Sequence, residues 1–185
     1  MSLSKTDQRL AERAEVVART VISQQPFFQS DLCSDNQRQL LETMVGAAIW
    51  YFPQSDDLWT GAISVEALTT LAQSSRPKSV KLTKDHHYPR KVAAAELFAI
   101  DWTAVSDPGA EVLRRYLEGY GQFNYVLPEE NKRLVKYQKT SHFVSPDQAY
   151  SQAGVELRTL SRPLLKAIRS GETDLASGVL SGDIV

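Results

Sequence analysis

The run Val80-Lys81-Leu82-Thr83-Lys84-Asp85-His86-His87-Tyr88-Pro89 changes character twice. Val80 to Thr83 alternate apolar and polar side chains, the period of a half-buried strand. Asp85 to Pro89 then gather a carboxylate, two imidazoles and a proline at the strand's end, and proline biases its predecessor away from helix. Over 90–100 the spacing turns helical, with Ala94, Leu97 and Phe98 on one face. A second extended segment, 122–127, runs directly into Pro128-Glu129-Glu130. Proline in a first turn, with acids at the positive end of the dipole, opens a helix that should reach about 138. Two strands and a helix in that order predict a small β-hairpin core, with helices inserted between the strands.

The flanking sequence is helical. Leu10, Ala14, Val17, Ala18 and Val21 recur at helical spacing over 6–24, and Pro26 should stop that helix. Ser34 or Asp35 caps a second helix reaching about 52, with Leu41, Met44, Val45, Ala48 and Ile49 as its stripe. Residues 53–61 read as a loop with Trp59 folded onto the core. Ser64 caps a short helix to about 72. Asp107-Pro108 opens a helix ending at Gly121, Ser145-Pro146-Asp147-Gln148 has the form of a capping box, and a last helix spans 162–170 before a fraying tail. The fold class is mostly α with a small β-hairpin (α+β). Within one structural domain, residues 1–62 form a helical region packed on the core, 63–160 the core with its inserted helices, and 161–185 a helix and tail.

Composition narrows the function classes. Cys33 is the sole cysteine among 185 residues, which excludes an internal disulfide or a cysteine-clamped zinc site and suits a reducing cytoplasm. The N-terminal residues lack the apolar core of a signal peptide, and the apolar stretch 44–52 is too short to cross a bilayer, so no membrane role is expected. A net charge of −1 argues against a dedicated nucleic-acid coating protein. The charges are nevertheless uneven. Arg76, Lys78, Lys81, Lys84, Arg90 and Lys91 crowd around Asp85, and Lys132, Arg133, Lys136 and Lys139 come after Glu129 and Glu130.

The chemically capable residues are few. Two of the three histidines, His86 and His87, adjoin Asp85; the third, His142, reads as a loop residue. A carboxylate beside a histidine can divide two tasks, one binding a divalent cation and the other accepting a proton from water near neutral pH. Trp50, Trp59 and Trp102 read as core residues, and Cys33 as incidental.

Asp85-His86-x-x-Pro89 at a strand's end resembles the first half of the HNH, or ββα-metal, endonuclease motif. The segment from Gln122 through Asn124 to Asn131 and Leu134 resembles its second half, a strand leading into a helix. Residues 145–150 and 153–157 are similar to the stretch C-terminal to that helix in some HNH-like proteins. The resemblance covers about 80–157. It implies Asp85 as a metal ligand assisted by Asn131, and His86 as general base, with His87 competing for that role. Gln122, standing where the motif has Asn, or Asn124 would brace the hairpin. His87, Arg90, Lys91, Lys132 and Arg133 would contact the phosphates of nucleic acid, DNA being the expected form. The implied cofactor is a divalent ion: Mg, Mn, Ni or Zn. Two alternatives stay open: a catalytically inactive nucleic-acid-binding module on the same fold, and a helical interaction protein whose N-terminal helices bind a partner or a second copy.

Overall fold

In this computed structural model residues 5–139 and 143–184 are described, Lys5 for its backbone alone, so His142 falls outside. In chain order the elements are α1 (Lys5–Gln29), α2 (Asp35–Trp50), β1 (Trp59–Ser64), α3 (Val65–Gln73), β2 (Thr83–His86), α4 (Arg90–Ala99) and α5 (Pro108–Arg115), which runs on as a π-helical turn, Tyr116–Tyr120. They continue with β3 (Phe123–Val126), α6 (Pro128–Leu134), α7 (Pro146–Gln152), β4 (Leu157–Thr159), α8 (Arg162–Ser170) and α9 (Asp174–Ser181). The fold is mostly helical with a small mixed sheet. The chain forms two compact units, Met1–Leu58 with Tyr88–Gln122, and Trp59–His87 with Phe123–Val185. The expected three-part division is therefore corrected. The inserted helices α4 and α5 belong with α1 and α2, against which they bury their apolar faces, and the C-terminal helices belong with the sheet.

The first unit is a helical packing in which α1 meets α5 and α2, and α2 meets α4. Ala14, Val17, Ala18 and Val21 line the buried side of α1, as their spacing predicts. A Cβ on Gly46 would lie 2.7 Å from the Arg90 carbonyl oxygen, so only glycine lets α2 and α4 approach this closely. Helix α1 passes through Pro26 instead of stopping there. An interior proline costs roughly 3 kcal/mol, and the last turn is held by contacts that offset it. Gln25 Nε2 donates to the Phe98 and Ile100 carbonyls at 2.8 and 2.7 Å, Gln29 Nε2 donates to Phe98 O at 3.1 Å, and Phe28 stacks on Phe98. These amides satisfy carbonyls that the end of α4 leaves without helical partners. The inner face of α2 is Val45, Gly46 and Ile49; Met44, expected in the core, is 58% exposed. Trp50 is also largely exposed, its ring covered on one side by Arg90, whereas Trp102 is buried.

The second unit holds the sheet, in the order β2-β3-β1-β4. β3 runs antiparallel to β2, forming the expected pair, and parallel to β1; β4 is antiparallel to β1. β1 lies where a loop was expected and buries Trp59 and Ile63. Gly61, at φ +90°, sits where the register of β1 against β3 slips, a conformation open to glycine. β2 begins at Thr83, three residues later than expected, because Pro77–Ser79 form a 3-10 turn. The tail does not fray at once: α9 packs on α3 and buries Ala176 and Val179. Among the described residues no helix is long and apolar enough to cross a membrane.

Candidate functional site

The second unit contains a ββα succession: β2, antiparallel to β3, which leads into α6. Asp85 lies across from Asn124, and His86 across from Phe123. Strand side chains alternate between faces, and this register sorts the candidates. Lys84, His86 and Phe123 share one face, with the Lys84 ammonium 4.6 Å from the Phe123 ring centre and His86 edge-on to that ring. Asp85 and Asn124 share the other face, and His87, two residues beyond Asp85, joins them. The pairing of Asp85 with His86 as ligand and base is thus corrected to a grouping of Asp85 with His87, because β2 continues in extended form through His86.

On that face the polar groups form one chain. Thr60 Oγ1 donates to Asn124 Oδ1 at 2.5 Å, and His87 Nε2 lies 3.1 Å from the same oxygen. An amide oxygen only accepts, so Nε2–H is the donor in this contact. The Asn124 side chain also hydrogen-bonds to the Tyr150 hydroxyl, which donates in turn to Asp85 Oδ2. Gln138 Nε2 spans both Asp85 oxygens at 3.0 and 3.1 Å. Asp85 is 4% exposed and Asn124 2%. Burial pushes the Asp85 carboxyl above its ordinary range, opposed by the hydrogen bonds from Tyr150 and Gln138 and by the charge of His87. Burial, together with the neighbouring carboxylate, also raises the Tyr150 phenol, so it remains a protonated donor.

Beside this chain lies Glu130, 1% exposed. Its Oε2 accepts from Ser64 Oγ at 2.5 Å and from Leu127 N at 2.7 Å. Ser64 Oγ also accepts from Ala67 N at 3.1 Å, so one buried carboxylate ties the start of α3 to the start of α6. Glu130 is structural, as expected for an acid at a helix N-terminus.

The remaining candidates are dispersed. Gln122, Arg90 and Lys91 belong to the first unit: Gln122 Nε2 donates to Leu117 O, Arg90 covers Trp50, and the charge of Lys91 acts on half-buried Glu42. Lys132 is paired with Glu129 at 2.9 Å and Arg133 with Glu66 at 2.8 Å. The Asn131 side chain makes no hydrogen bond to Asp85, while its backbone continues α6 from Leu127. The donor set does not fit a divalent cation as arranged. Both Asp85 oxygens are held by neutral donors in a buried position, and among the described residues no three His, Cys, Asp or Glu side chains converge. Tyr150, Gln138 and Thr60 had no local signal in the sequence; only the fold brings them to Asp85 and Asn124.

Comparisons with protein-family models, with curated proteins and with solved structures found no match.

Proposed function

We propose that this protein binds nucleic acid through its second unit, as a catalytically silent module built on a ββα core that resembles the HNH-like endonucleases. The observation that carries the reading is Asp85. It lies on β2 across from Asn124, where the resembling motif has its metal-binding carboxylate, yet Tyr150 and Gln138 occupy both its oxygens. The carboxylate therefore braces the sheet face. Displacing two donors and rehydrating a buried site would both have to precede any cation contact. What remains for function is a net basic unit, with twelve Lys and Arg against nine Asp and Glu, suited to a phosphate backbone.

The test is a gel-shift titration of the full chain against a labelled DNA duplex between 50 and 200 mM salt. Binding that weakens steeply with salt supports the reading. No shifted species at the lowest salt rejects it.

A second reading, phosphodiester hydrolysis, is favoured by His87. Its Nε2 lies 3.1 Å from Asn124 Oδ1 and its ring is half-buried beside Asp85, so the imidazole is held in one orientation, as a proton-transferring group requires. Product formation abolished by His87→Ala would select it over the silent module.

A further inference from the structure

Helix α8 places Arg162, Lys166 and Arg169 at i, i+4 and i+7, a spacing that puts all three on one face. The adjoining face buries Leu165 and Ile168. The helix packs against the 3-10 turn Pro77–Ser79, and Arg169 Nη2 donates to Lys78 O at 3.2 Å. Two segments some ninety residues apart in sequence thus bring Arg76, Lys78, Lys166 and Arg169 to one surface of the second unit, with Lys81 two residues beyond the turn. Neither segment contains an acid between Arg76 and Lys84 or between Ser161 and Gly171. Among the described residues Arg76, Lys78, Lys81, Lys166 and Arg169 form no ion pair. The basic residues of α6 differ: Lys132 and Arg133 are neutralised by Glu129 and Glu66.

From this we infer that the surface formed by α8 and the segment 76–81 is where the protein engages the phosphate backbone of nucleic acid, an inference that rests on the nucleic-acid reading proposed above. Unpaired like charges held together on a folded surface repel one another, and a polyanion relieves that repulsion by displacing its own condensed counterions. The cations stand on a helix and a tight turn, so their spacing is fixed before contact. No base-reading group is required, and the surface should bind with little sequence preference. It lies outside the ββα succession and does not use the Asp85 face.

The experiment measures fluorescence anisotropy of a labelled 20-base-pair duplex over a salt series, using the full chain. The parent is compared with Lys78→Ala/Lys166→Ala and with Lys132→Ala/Arg133→Ala, all at exposed positions. Vesicles of phosphatidylcholine with phosphatidylserine form a parallel arm. The Lys78/Lys166 variant should bind at least tenfold more weakly at low salt, and its log–log salt slope should fall by about 2, near 0.9 for each phosphate no longer neutralised. The α6 variant should stay close to the parent. Parent-like affinity and slope in the Lys78/Lys166 variant would overturn the inference while leaving the nucleic-acid reading standing. A parent that binds no duplex would remove both. Loss of vesicle binding in that variant, with duplex binding intact, would assign the surface to lipid and overturn the inference.

Discussion

The two units solve the problem of polar groups in opposite ways. In the first, the amides of Gln25 and Gln29 reach across to the free carbonyls at the end of α4, and two adjacent arginines are neutralised locally, Arg114 by Glu111 and Glu118 and Arg115 by Glu111. In the second, buried polar side chains are kept and joined to one another. Among the described residues the buried polar side chains, Ser64, Asp85, Asn124 and Glu130, all belong to it. Charge divides the same way. The first unit has nine Lys and Arg against thirteen Asp and Glu, and the second has the opposite balance. Buried polar side chains are expensive wherever an atom lacks a partner; of the four in the second unit only Glu130 leaves one, its Oε1, so the sheet face is specified in detail. The first unit is specified by apolar packing.

This contrast can be broken most forcefully at Glu130. Glu130→Ala leaves Ser64 Oγ and Leu127 N without their acceptor in a buried place, and should destabilise the second unit by about 3 kcal/mol. Urea unfolding monitored by circular dichroism gives the size. Hydrogen exchange gives the location, with amides of β3 and α6 losing protection while those of α1 and α5 keep it. Equal loss in both sets would merge the units into one cooperative structure.

Next in size is Tyr150→Phe, which removes the donor to Asp85 Oδ2 and the partner of Asn124 and should cost about 2 kcal/mol. The corresponding change in the first unit, Gln25→Ala, removes two amide bonds to carbonyls at the partly accessible end of α4. It should cost about 1 kcal/mol. The same unfolding assay ranks them, and a reversed order would mean that the Asp85 network is looser than its geometry indicates.

The smallest effect is in pH, and the units should differ in its sign. Arg114, together with Arg115, holds the Glu111 carboxyl down at about 2, so its contribution is present above the ordinary 4.5 and fades as pH falls toward 2. Asp85 is raised above 3.8 by burial. Between 3.8 and its raised value the folded chain holds a proton that the unfolded chain has released, so stability falls as pH rises through that window. Asp85→Asn should flatten that decline, and Glu111→Gln should flatten the acid-side loss by a fraction of a kcal/mol, since solvent screens its ion pairs. Thermal unfolding from pH 3 to 7 reads both. A steeper decline in Asp85→Asn would reverse the sign assigned here.

Local signals in the sequence identified the elements that local chemistry determines. The Ser34, Ser64, Asp107 and Ser145 caps each accept from a backbone N–H of the helix they begin, and the apolar stripe of α1 is buried. The antiparallel β2–β3 pair and α6 were legible for the same reason. β1 was not, because Pro53, Asp56 and Asp57 before it and Gly61 within it are turn signals, overridden by pairing with β3 and β4. Pro26 misled in the same way, since the bonds that carry α1 past it come from side chains meeting residues some seventy positions away. At the site, one shift in strand position decided which histidine matters. Ending the strand at Thr83 leaves His86 and His87 interchangeable, whereas extending it to His86 puts His87 in phase with Asp85. Tyr150 meets Asp85 across 65 positions of sequence, a contact that only the assembled sheet and α7 create.

The most direct test of the central claim, that Asp85 is closed off and the second unit binds without cutting, uses one reaction read on two gels. A labelled duplex is incubated with the full chain and magnesium or manganese, then run native for complex and denaturing for product. The account predicts a shifted complex and intact strands, unchanged by His87→Ala. Strand breaks that disappear in His87→Ala or Asp85→Asn would contradict it.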